Sequence, residues 1–159
     1  MSPSAHARDD ATIALRELIL VGERYRIAVA AHLDLTVNES RAISYLLARG
    51  PMGQTDLSAA LGLTTSSTTT LLDRLEQRQM AVRVPDPKDR RRSTVEIPES
   101  GMRRLREVRD WMPHAFDALD ADDLADAAAT LRTIADSLRA VTAEIDASAT
   151  SNTGRRKRH

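Results

Sequence analysis

Cysteine is absent from this chain of 159 residues, which excludes disulfides, thiol-oxidation switches and thiolate metal sites. Aromatic residues are scarce as well, at 3%. Hydrophobic residues reach 42%, so aliphatic side chains and alanine must fill the interior, which favours helices packed on helices. No apolar run approaches the ~18 residues of a membrane span. The opening "MSPSAHARDD" lacks the apolar stretch of a signal peptide, so the expectation is a soluble, cytoplasmic protein. Catalytic constellations are missing too. The four histidines, His6, His32, His114 and His159, stand with no carboxylate at triad or metal-ligand spacing, and there is no glycine-rich phosphate loop. Neither an enzyme nor a resident cofactor or metal is expected.

Net charge is also lacking, with 23 basic and 23 acidic residues, but the distribution is uneven. From Arg74 to Arg92 there are seven Lys/Arg against three acids, and from Asp117 to Asp146 eight acids against two arginines. Lys88, Arg90, Arg91 and Arg92 crowd together just before the alternating run Ser93–Ile97. A neutral total that hides a basic centre points to an anionic partner at one surface.

Periodicity supplies the elements. Leu15, Leu18, Gly22, Tyr25, Val29 and Leu33 recur at helical spacing across residues 11–33. Thr36-Val37-Asn38-Glu39 fits a capping box, and the helix it opens ends at Gly50-Pro51. A short helix spans about Gln54 to Leu61, with Gly62 suited to a left-handed cap. The run Thr64 to Thr70 holds seven consecutive Ser/Thr residues, which are mediocre helix formers. Yet Thr68, Leu71, Leu72 and Leu75 draw one inward stripe, and Thr64 is placed to cap. The segment therefore reads as a helix whose outer face must be small and polar. Ala81–Pro85 and Ser93–Ile97 alternate about a charged turn, as a hairpin does. Met102, Leu105 and Val108 continue as a helix until Pro113. Finally Leu124, Ala127, Leu131, Ile134, Leu138, Val141 and Ile145 keep strict 3-4 spacing behind Asp120, the seam of a coiled-coil-like pair that more naturally joins a second copy.

Three helices followed by a hairpin, between about Val37 and Ile97, is the order of a winged helix-turn-helix. In that fold the second helix of the pair enters the major groove and the wing reaches the minor groove. The fold class is mainly α, a winged helix-turn-helix with N- and C-terminal dimerisation helices. Thr65, Ser66, Ser67, Thr69 and Thr70 would be the first exposed residues of the recognition helix, with Arg74 fit for a phosphate. The organisation expected is a disordered arm at 1–10, one regulator domain at 11–147 and a flexible basic tail at 148–159. Within the domain the DNA-binding part is about 37–98, and dimerisation helices occupy about 11–33 and 99–146. A scaffold without specific DNA binding would share the seam but has no reason to concentrate arginine in a wing.

The stretch "LTTSSTTTLLDRLEQRQMAVRVPDPKDRRRSTVEIPESG" resembles the recognition helix and wing of the MarR family of bacterial transcription regulators. "LDLTVNESRAISYLLARGPMGQTDLSAALGL" resembles the part before it, and the likeness extends over about residues 11–145. Asp89-Arg90-Arg91 and Ile97-Pro98-Glu99-Ser100-Gly101 occupy the family's wing motif and helix start, and Arg83 matches the arginine that opens the wing. Two positions depart from the pattern. Gln79 stands where glycine is common after the recognition helix, and Pro98 replaces a capping threonine.

The resemblance implies a homodimer bound to a palindromic operator, more often as a repressor. Half-sites would lie about ten base pairs apart. It implies Arg91 as the wing-tip arginine of the minor groove, steadied by Asp89, with Lys88, Arg90 and Arg92 on phosphates. Dimer contacts would include Leu18 besides the seam residues. For some of the family it also implies release by a small aromatic or phenolic effector. Tyr25, His32, Tyr45, Met102, Trp111 and Met112 are the candidates to line its cleft, against the plainer reading that they are core or surface. Arg91→Ala is expected to weaken specific DNA binding by about 1–3 kcal/mol while the dimer persists. Unchanged operator affinity in a titration would move the minor-groove contact to another residue.

Overall fold

The computed structural model describes residues 5–85 and 93–156, with side chains described for 6–85 and 93–148. The chain divides into two compact units, Met1–Arg109 and Asp110–His159.

In the first unit α1 (Ala5–His32) leads into α2 (Val37–Arg49), a two-residue strand β1 (Met52–Gly53), α3 (Gln54–Leu61) and α4 (Thr65–Gln77). The hairpin strands β2 (Val82–Pro85) and β3 (Ser93–Glu96) follow, then α5 (Glu99–Arg104) and α6 (Arg106–Trp111). The capping box forms as its residues require. Thr36 Oγ1 accepts from the Glu39 backbone N–H at 3.2 Å, and the Glu39 carboxylate accepts from the Thr36 N–H at 2.8 Å. These bonds let Glu39 lie buried, because its carboxylate has a partner where water is excluded. Gly62 takes the left-handed conformation that closes α3, at φ 67°.

One core serves the whole unit. Leu33 and Leu35 after α1, Ile43 and Leu46 of α2, and Leu57 and Leu61 of α3 are buried in it. Leu71, Leu72 and Leu75 of α4 join them, with Val95 of β3 and Leu105 behind α5. The inward stripe of α4 is as the spacing predicts, Thr68 included.

Three features of the first unit depart from the sequence reading, and Pro98 does not. Helix α1 begins at Ala5, inside the arm expected to be disordered to residue 10, because Ala5, Ala7 and Ala11 favour helix and no proline or glycine stands between Ala5 and Ala11. The strand β1 was not anticipated. It pairs antiparallel with β3 (Met52 with Val95, Gly53 with Thr94), so the sheet order is β1-β3-β2. Two residues carry no readable alternation, and only the partner strand defines them. The helix expected after the wing is split at Leu105 into α5 and α6. Pro98 precedes α5 at its cap with φ −70° and supplies no side-chain cap bond.

In the second unit a 3-10 turn (Met112–Phe116) contains Pro113, and α7 (Ala121–Arg156) follows. Asp120 caps it, its Oδ1 accepting from the N–H groups of Asp122 and Asp123 at 3.0 and 2.9 Å. Helix α7 runs through residues 148–156, where a flexible tail was expected, since "SATSNTG" contains no proline to stop the ladder.

Helix α4 ends on Gln79 at φ 57°. The Gln79 N–H donates to Glu76 O at 2.9 Å and the Met80 N–H to Leu75 O at 2.8 Å, the paired bonds of a left-handed closure normally given to glycine. Helix α1 closes the same way on Asp34 at φ 55°, with Leu35 N–H donating to Ala30 O at 2.8 Å. The exposed glutamine costs energy that glycine would not. Gln79→Gly is expected to raise stability by about 0.5–1 kcal/mol in urea denaturation, and a lower midpoint would mean that the glutamine side chain makes a compensating bond.

Candidate nucleic-acid interface

Thr64 starts the recognition helix α4 by accepting from the Ser67 N–H at 3.2 Å. Its hydroxyl also donates to Ser67 Oγ at 2.9 Å and lies 3.1 Å from Ser66 Oγ. The next three threonines turn their hydroxyls back along the helix. Thr68, Thr69 and Thr70 donate to the carbonyls of Thr64, Thr65 and Ser66 at 3.0, 2.9 and 3.2 Å. Residues of low helix propensity thereby satisfy themselves on the backbone instead of competing with it. Thr65, Ser66, Ser67, Thr70 and Arg74 are exposed, whereas Thr69 is half-buried. Gln54, the first residue of α3, donates from Nε2 to Thr69 Oγ1 at 2.7 Å and ties the two helices of the helix-turn-helix together.

Arg83, counted from the sequence among the DNA-binding residues as the arginine that opens the wing, has partners within the chain. From the start of the wing it reaches back over α4, where its guanidinium pairs with Glu76 and with Asp73 Oδ1, the latter at 2.9 Å. A further N–H donates to Thr69 O at 3.3 Å, and the Arg83 backbone N–H donates to Glu76 Oε1 at 2.8 Å. Its side chain is 23% exposed. Arg83 is therefore a fastener between wing and recognition helix. It also neutralises two carboxylates on a helix that would otherwise repel an anion. Sequence reasoning missed Asp73, Glu76 and Gln54. The i, i+3 spacing of the two acids on one helix face, with an arginine opening the next strand, was the available signal.

The end of α4 is held from the other side. Arg78 donates to the Asp34 carbonyl and pairs with its carboxylate at 3.3 Å. Arg104 of α5 donates to Arg78 O at 3.1 Å and to Leu33 O at 3.4 Å. Two arginines thus satisfy carbonyls freed at two helix C-termini, where positive charge is favoured. Lys88, Asp89, Arg90, Arg91 and Arg92 of the wing tip lie outside the described residues.

Tyr25, His32, Tyr45 and Met102 of the effector-cleft candidates lie in the first unit, Trp111 and Met112 in the second. An apolar cleft of about 220 Å³ lies between α2, β3 and α5, lined by Leu46, Leu47, Pro51, Glu96, Ile97 and Met102 among others. Only Met102 of the six belongs to it. Tyr25 and Tyr45 pack on the core, and Tyr45 carries the Arg49 guanidinium 5.0 Å from its ring centroid. His32 lies 3.5 Å from Glu107, while Trp111 and Met112 are exposed.

Residues 33–92 match the model of the MarR family. A curated relative, the uncharacterized HTH-type transcriptional regulator YcgE of Bacillus subtilis (strain 168), is 38% identical over 68 residues. That alignment takes in 43% of this chain and 44% of the relative, so the chain spans under half the relative's length. Among solved structures, a MarR family protein from Bacillus stearothermophilus superposes with a TM-score of 0.65 at 18% identity, covering 86% of this chain and 99% of that one. The S. aureus MepR–DNA complex superposes at 0.51 with 20% identity, covering 79% of this chain and 98% of that one. These likenesses establish the winged-helix fold.

Arg83→Met is expected to cost about 1–3 kcal/mol, because the half-buried Glu76 carboxylate loses its charged donor. Chemical denaturation measures it. A loss under ~0.3 kcal/mol would show that the ion pair does not anchor the wing.

Proposed function

We propose that this chain, a MarR-family protein through its residues 33–92, is a sequence-specific double-stranded DNA-binding transcription regulator. One observation carries the reading. A helix with an exposed face of small hydroxyl side chains is tied by the Arg83 ion pairs to the strand β2, which the basic sequence Lys88 to Arg92 follows in the chain. Short side chains permit close approach of the helix to base edges, and the basic wing supplies the phosphate attraction that dominates affinity.

The regulator works as a homodimer on a palindromic operator. Support comes from apolar side chains left exposed on the terminal helices. On α1 these include Leu18 and Leu20, at 54% and 63%. On α7 Leu124, Leu131, Leu138, Val141 and Ile145 are 39% exposed or more, with Ile134 half-exposed among them. Faces of this kind mark an interface. Repression is the mode by family habit. Release by a small aromatic or phenolic effector belongs to the same reading, with the apolar walls and single carboxylate of the α2–β3–α5 cleft as a place for it.

Titration of an inverted-repeat duplex at about 50 and 200 mM salt tests the proposal, with affinity expected to fall steeply, by a factor of ~10³ for several phosphate contacts. The Leu131→Asp/Leu138→Asp double variant should sediment as a monomer and lose the operator, since it places charge in the seam. No retention on DNA at low salt would leave a protein-interaction scaffold as the function. A double variant still dimeric would move the interface elsewhere.

A further inference from the structure

From Leu63 to Leu72 the recognition helix contains no arginine, lysine, asparagine or glutamine. Those are the side chains that read guanine or adenine through paired hydrogen bonds in the major groove. What remains on the helix is hydroxyl and methyl, and the structure sorts the two. Each hydroxyl of Thr68, Thr69 and Thr70 has its single proton committed to a carbonyl four residues back. A carbonyl only accepts, so the direction of these bonds is fixed. Thr69 Oγ1 also accepts from Gln54 at 2.7 Å, which leaves its γ-methyl as the group it can offer outward. Thr70 is exposed and offers a γ-methyl together with an oxygen that can still accept.

Side chains that offer methyls outward fit one base pair best. In the major groove A·T and G·C each show two acceptors and one amino donor, and A·T alone adds the thymine C5-methyl. A γ-methyl packed there gains apolar contact that G·C does not return. Resting on the DNA-reading function proposed above, we infer that Thr69 and Thr70 determine specificity by packing their methyl groups on thymine methyls, Thr70 Oγ1 accepting from the adenine N6 amino group. Discrimination against G·C follows from the methyl contact, which only thymine returns.

The preferred inverted repeat is first selected from random duplexes with the full-length protein. Each thymine of one half-site is then replaced by uracil, which removes the C5-methyl and nothing else. Affinity should fall about fourfold at one or two positions, the value of one buried methyl. Thr70→Ser keeps the hydroxyl and its backbone bond. It should bind the thymine duplex as weakly as the uracil one and erase the difference at one of those positions, with Thr69→Ser doing so at the other. Circular dichroism and the melting temperature confirm that both variants fold. Specific binding with no thymine–uracil difference at any position overturns the inference and leaves the DNA-binding function standing, as does a difference that both serine variants retain. Absence of specific binding by the unaltered protein overturns both.

Discussion

The turn Arg78–Gln79–Met80 is the constraint on which the winged-helix unit depends. It must stop α4, reverse the chain and start the wing within three residues, and it does so by holding Gln79 left-handed. Met80 and Ala81 are thereby driven into the core, which fixes where β2 begins. Other parts close on the same turn. Ser100 donates to Gln79 O at 3.2 Å. A Cβ on Gly101 would fall 3.1 Å from that same oxygen and 3.0 Å from Ile97 Cγ2, so only glycine lets α5 approach so closely. Arg104 completes the joint by linking the carbonyls that end α1 and α4. Backbone strain in one residue thus gathers α1, α4, β2 and α5 at one place.

Rigidity at the candidate interface follows from this joint and from the Arg83 pairs beyond it. A wing on a two-stranded ribbon alone would be marginal. Here β1 adds a third strand on one side, and Arg83 grips Asp73 and Glu76 on the other. Two acidic residues on a helix with a hydroxyl-rich outer face look out of place until their partner is seen. Once paired, they anchor the strand β2 to that helix.

The hydroxyl run draws on the same economy. Seven Ser/Thr residues should weaken a helix, but three of them bond their own backbone, one caps the start, and the buried Thr68 satisfies its hydroxyl at Thr64 O. Low propensity is offset locally, and the outer face stays small enough for close approach to a duplex.

By itself the sequence determined the elements whose signals are local. The capping box at Thr36–Glu39, the glycine close of α3, the stripe Thr68–Leu71–Leu72–Leu75 and the two strands of the hairpin are set by residues a few positions apart, and periodicity or side-chain chemistry reveals them. It also placed Gln79 at a position wanting glycine, and left-handed geometry is what that position has. Tertiary structure decided the rest. Two residues at Met52–Gly53 become a strand only because β3 offers unpaired backbone groups. Arg83 becomes an intramolecular fastener only because the hairpin brings it over Asp73 and Glu76. Met102 lines the cleft of the first unit while Tyr25 and Tyr45 pack on the core, because burial comes from packing among distant segments, and such pairings leave no spacing in the chain from which they could be read.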